Sequence, residues 1–70
     1  MKYLVVIEKT ATGFSAYSPD LVGCIATGAT PQAIEQTMRE AMAFHLEGLA
    51  LEGQAPPPPQ AYAQYIELSA

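Results

Sequence analysis

Few side chains in this sequence are of types that do chemistry, and the spacing keeps them apart. His45 is the single histidine and Cys24 the single cysteine in 70 residues. A catalytic His45 would need an orienting carboxylate or a nucleophile beside it. It falls instead among apolar residues at helical spacing, where a histidine packs its ring and satisfies a nitrogen on backbone or solvent. One His and one Cys do not make the three or four ligands of a zinc site. A lone Cys also excludes an internal disulfide. Cys24 sits between Gly23 and Ile25, without the base or cation that activates a thiol, and reads as a small buried residue.

The carboxylates have a second chemistry open to them, since convergent acids hold Mg²⁺ for phosphoryl transfer. Glu8 at a strand end, Asp20 in a turn and Glu67 near the end of the sequence are the candidates. Glu35, Glu40, Glu47 and Glu52 line the solvated side or edge of a helix. No two acids stand at close helical spacing on its core side. Asp20 is better explained as a turn fastener, bonding N–H groups one or two residues on. No catalytic residue, metal ligand or cofactor is assigned.

Tyr3, Tyr17, Tyr62 and Tyr65 with Phe14 are many aromatics for short strands, and sheet aromatics can stack RNA bases. That use needs flanking Lys or Arg. Only three bases oppose seven acids, for a formal charge of −4, and beyond Asp20 the sole base is Arg39. A chain with no basic stripe does not replace phosphate counterions, so direct nucleic-acid binding is not expected. Core and interface packing is the use left for the aromatics. An acidic surface suits a basic protein partner, with Asp20, Glu40 and Glu47 as the expected contacts.

The element that must position all of this is residues 31–52. Wound at about 100° per residue, it puts Ile34, Met38, Ala41, Met42, His45 and Leu49 on one side. Gln36, Arg39, Glu40, Ala43 and Glu47 fall on the other. Thr30 is a cap, Pro31 suits the first helical position, and Gly53 with Pro56 to Pro59 ends the helix. Before it, residues 3–7 are apolar on both faces and read as a central strand. Residues 10–13 form a hairpin loop with Gly13 left-handed. Residues 14–18 alternate as a second, antiparallel strand, and 24–27 make a third. Between the last two, Pro19 ends strand pairing, Asp20 fixes a turn, Leu21 and Val22 plug a core edge, Gly23 supplies a positive φ, and Cys24 opens the next strand. Four prolines form a stiff extended strap. Residues 62–68 alternate again and read as a last strand rejoining the sheet. The expectation is α+β, in the order β-β-β-α-β: an antiparallel three-stranded meander plus one further strand, with a single long helix on one face.

Residues 1–70 make one domain with no repeat. A chain of this size buries only roughly 60% of its unfolded surface. With half its residues hydrophobic it must leave apolar surface exposed, which self-association or a tight partner remedies. The first residues are too short for a signal core or a membrane span, so a cytoplasmic protein is the default.

Val6-Ile-Glu8, Gly13-Phe-Ser-Ala-Tyr17, Pro19-Asp-Leu-Val-Gly-Cys24 and Gly28-Ala-Thr30, followed by Phe44-His-Leu-Glu-Gly-Leu49, Glu52-Gly53 and the prolines, resemble the HicB-like antitoxin family in order and spacing over nearly the whole chain. Val22 stands where that family often has a second proline. The resemblance implies a partial RNase H-like fold without the acidic tetrad of the true enzymes. It also implies a non-catalytic module that neutralises a small basic mRNA-cleaving toxin, HicA. Family members often carry a C-terminal DNA-binding domain. The sequence stops at Ala70, after the last expected strand, so DNA binding is not carried over. A solitary homo-oligomeric domain of other role and a residual metal-dependent nuclease are the alternatives.

Overall fold

A computed structural model describes residues 1–69; Ala70, the last residue of the expected domain, lies outside them. Strands β1 (Val6–Lys9), β2 (Phe14–Tyr17) and β3 (Ile25–Gly28) form an antiparallel sheet in the order β1-β2-β3, followed by helix α1 (Pro31–Leu51). The α+β meander and its single covering helix are as expected.

Register explains the layers. Residues opposed across antiparallel strands share a face. Ile7, Ala16 and Ala26 form one row, and Lys9, Phe14 and Gly28 the next. These rows face α1, which lies over β2 and β3. Ala16, Leu21, Cys24, Ile34 and Met38 are the buried core there. The alternate rows, Val6–Tyr17–Ile25 and Glu8–Ser15–Thr27, face away from the helix. Nothing covers them among the described residues, and Ile25 is 73% exposed.

Local signals place the helix. Thr30 is extended, and its Oγ1 accepts from the Ala33 N–H at 3.0 Å, with Pro31 in the first turn. At the other end the Gln54 N–H donates to the Leu49 carbonyl and the Gly53 N–H to the Ala50 carbonyl, with Gly53 at φ 74°. That is a Schellman end, which requires a residue free to turn left-handed. Twenty-one helical residues span about 31 Å, against about 13 Å for a four-residue strand, so α1 overhangs the sheet. Only Ile34 and Met38, both in its first half, are fully buried.

Three expectations are corrected. The strand read at residues 3–7 as central is β1, which runs instead over Val6–Lys9 and lies at the sheet edge. Its second half, Glu8 and Lys9, is charged and exposed, as suits an edge strand. Gly13 is not left-handed: among the described residues positive φ occurs only at Gly23 and Gly53. The reason for glycine there is steric, because a Cβ would stand 2.5 Å from the Gly28 carbonyl oxygen. The fourth strand expected at residues 62–68 does not pair: none of the described residues beyond the helix forms a strand, and Tyr62, Tyr65, Ile66 and Leu68 are exposed. Alternation says that a segment suits a sheet; it does not say which sheet.

No described helix is long and apolar enough to cross a membrane.

Candidate functional site

The segment Ser18-Pro-Asp-Leu-Val-Gly-Cys24 folds as two successive turns. The Leu21 N–H donates to the Ser18 carbonyl at 3.2 Å, and the Cys24 N–H to the Leu21 carbonyl at 3.1 Å. Pro19 occupies the second position of the first turn, where its fixed φ is an advantage. Val22 has negative φ and Gly23 has φ +90°, which defines the second turn as type II. A Cβ at Gly23 would touch nothing, so glycine is required for conformation and not for space. The double turn drives Leu21 inward to 1% exposure and turns Val22 outward to 86%. Val22, expected to help plug the core, is therefore a surface residue.

Asp20 is used differently from the local fastening expected of it. Backbone bonds close the turns. Its carboxylate Oδ2 accepts from the N–H groups of Gln60 at 3.0 Å and Ala61 at 2.9 Å, forty residues on. The Tyr3 hydroxyl donates to the Pro57 carbonyl at 2.6 Å. Together these bonds hold the proline strap against the sheet end. Ser18, read from the sequence only as the end of the second strand, is buried and donates from Oγ to the Leu4 carbonyl at 2.9 Å. A small hydroxyl before Pro19 was the available signal. Asp20 thus has one carboxylate oxygen engaged within the chain before any partner arrives.

Glu40 and Glu47 stand exposed on the helix, with Gln36 Nε2 donating to Glu40 Oε2 at 3.0 Å. Helical spacing puts Glu40, Phe44, Glu47 and Leu51 on one ridge. Phe44 is 78% exposed and Leu51 82%. Phe44 was not marked as a contact in the sequence because its exposure depends on where the sheet stops beneath the helix.

Cys24 and His45 do come to one cleft of about 390 Å³, lined also by Phe44, Leu49 and Glu52. Burial pushes the Cys24 thiol above its ordinary value, which keeps it protonated and weakly nucleophilic at neutral pH. Because the folded chain holds this proton more tightly than the unfolded chain, the resulting stability is whole below the unfolded thiol's value of about 8.5 and is lost as pH rises through the folded one. The expected result is a urea midpoint that falls over this alkaline range by more in the wild type than in Cys24→Ala. Among the described residues, no three His, Cys, Asp or Glu side chains stand close enough to hold a metal ion. Glu8, Asp20 and Glu67 are not brought together.

A three-stranded meander backed by one overhanging helix, with a double turn that buries Leu21 and is clipped to a proline strap, defines a small α+β domain. The family model described as the HicB-like antitoxin of bacterial toxin-antitoxin system matches residues 3–69, and the chain belongs to that family. It is 33% identical over 66 residues to a protein of Haemophilus phage HP1 (strain HP1c1) described as an uncharacterized 14.9 kDa protein in the rep-hol intergenic region. That match covers 94% of this chain and 50% of the phage protein, so the chain spans about half the length of this curated relative. Among solved structures it is similar to a chain of the HicA3 and HicB3 toxin-antitoxin complex, with 42% identity, a TM-score of 0.68, and coverage of 84% of this chain and 70% of that one.

Proposed function

We propose that the chain is a non-catalytic protein-binding module that masks a small basic mRNA-cleaving toxin of the HicA type in the cytoplasm. The observation that carries this reading is the 42% identity to a chain of a toxin-antitoxin complex. Charge supports it: an acidic domain of net charge −4 is drawn to a basic partner. The ridge of Glu40, Phe44, Glu47 and Leu51 is the contact surface of choice, with an aromatic anchor inside a charged frame. Asp20 contributes indirectly, by holding the strap.

The test is co-expression with the small basic reading frame beside the gene, followed by binding measurements on the purified pair. Phe44→Ala is expected to weaken binding roughly 30-fold, the effect of losing about 2 kcal/mol at an anchor. Reversing Glu40 and Glu47 to Lys should slow association about tenfold at low salt, with a smaller effect at high salt. If the neighbouring protein is not toxic alone, or its RNA cleavage continues in the presence of this chain, the reading fails.

A further inference from the structure

We propose that residues 62–68 form a strand on the open edge of β1 in a second copy of this chain, and that two copies exchange these segments reciprocally. The inference concerns self-assembly and stands apart from the toxin reading.

The segment is held up to its first residue and then let go. Gln60 and Ala61 are fixed on Asp20. From Tyr62 onward, among the described residues, no backbone N–H or carbonyl bonds to the rest of the chain. Tyr65 is fully exposed, and Tyr62, Ile66 and Leu68 are 75–83% exposed. Tyr62, Ile66 and Leu68 alternate onto one face of an extended segment. Seven residues of a sheet-forming pattern, with their backbone unpaired, are a strand in need of a ladder.

The matching edge is on the other side of the same molecule. β1 lacks a neighbour on one side, and the backbone groups along that edge are open to a further strand. Beside it, between Tyr3, Val5 and Ile7 and the helix residues Glu35, Met38, Arg39 and Met42, lies a groove of about 300 Å³ whose walls are apolar except for that charged pair. The open edge of β1, Val6–Lys9, is four residues and about 13 Å long, which part of residues 62–68 suffices to cover. A strand laid along β1 would place its apolar face in that groove and close the edge that would otherwise invite open-ended pairing.

The areas agree. A compact monomer of this mass exposes about 4,250 Å², but this chain exposes 5589 Å². Its radius of gyration is 14.0 Å, against about 11 Å for a compact domain of the same length. Two copies that each hid the excess would bury about 2,700 Å², within the range of obligate homodimers. Reciprocal exchange has two-fold symmetry and closes on itself.

Sedimentation equilibrium of the 70-residue chain should give a dimer at tens of micromolar. The double variant I66D/L68D changes only exposed side chains and should keep the circular dichroism of the fold. It should raise the dissociation constant at least 100-fold. Mixing chains carrying Ile7→Cys with chains carrying Ile66→Cys should yield a disulfide between unlike chains under oxidation. A monomeric wild type, a dimer that I66D/L68D leaves intact, or an internal disulfide in a monomer carrying both cysteines would each overturn the proposal. The last would mean that the segment closes the edge of its own sheet.

Discussion

Leu21→Ala is expected to cost about 3–5 kcal/mol, as removal of a fully buried leucine does when the site cannot collapse. The site cannot collapse here because a rigid double turn fixes the backbone on either side. Ser18 and Cys24 are bonded to each other across its mouth, the Ser18 N–H donating to the Cys24 carbonyl at 3.2 Å. A domain of this length has about 4–10 kcal/mol of stability in total, so the variant should be largely unfolded or close to its midpoint without denaturant. Urea titration followed by circular dichroism measures it. Val22→Ala is the control: one residue along, pointing the other way and 86% exposed, it should move stability by no more than about 0.5 kcal/mol. Equal effects at the two positions would contradict the inward and outward assignment of the double turn.

Asp20→Ala is expected to release the strap while the sheet and helix stay folded. Two backbone N–H groups lose a charged acceptor, an interaction worth about 1.5–3 kcal/mol where it is shielded and less at this half-buried position. A local loss of about 1.4–2.8 kcal/mol is a 10- to 100-fold rise in the open population. It should appear as faster amide exchange at Gln60 and Ala61. Exchange at Ala16 and Met38, in the core, should change far less. Asp20→Asn keeps a carbonyl oxygen as acceptor and should retain most of the protection. Unchanged exchange at Gln60 and Ala61 in the alanine variant would mean that something else holds the strap.

What could be read from the sequence, and what could not, divides by the distance over which each feature is decided. The helix was legible to within a residue because Thr30, Pro31 and Gly53 act on their own neighbours. The second and third strands were legible to within a residue for the same reason, but the first, read at residues 3–7, runs over Val6–Lys9, because its ends are set by pairing with β2 and not by its apolar run. Asp20 was seen as a fastener but assigned to its own turn, because a partner forty residues away leaves no local trace. Gly13 was recognised as obligatory for the wrong cause: a glycine that avoids a clash and one that turns left-handed look alike until a third strand is laid beside the hairpin. Residues 62–68 showed a pleated pattern, and β1 showed the appetite of a central strand. Neither says whether the pairing lies within one chain. The exposure of Phe44 and Leu51 could be seen only once the sheet proved shorter than the helix above it.

That mismatch in length has a consequence for how the domain breathes. The first three turns of α1 are tied to the core through Ile34 and Met38, and opening them means opening the whole fold. Beyond Met38 only the partly buried Met42 and Leu46 pack against the core, so the end of the helix past Leu46 opens at lower cost than its first three turns. The ridge around Phe44 is therefore carried by the less buried half of the helix, and anything that grips it also stiffens it. A bound protein would then raise the melting temperature by linkage, and the ordering entropy of those turns would be drawn from its affinity.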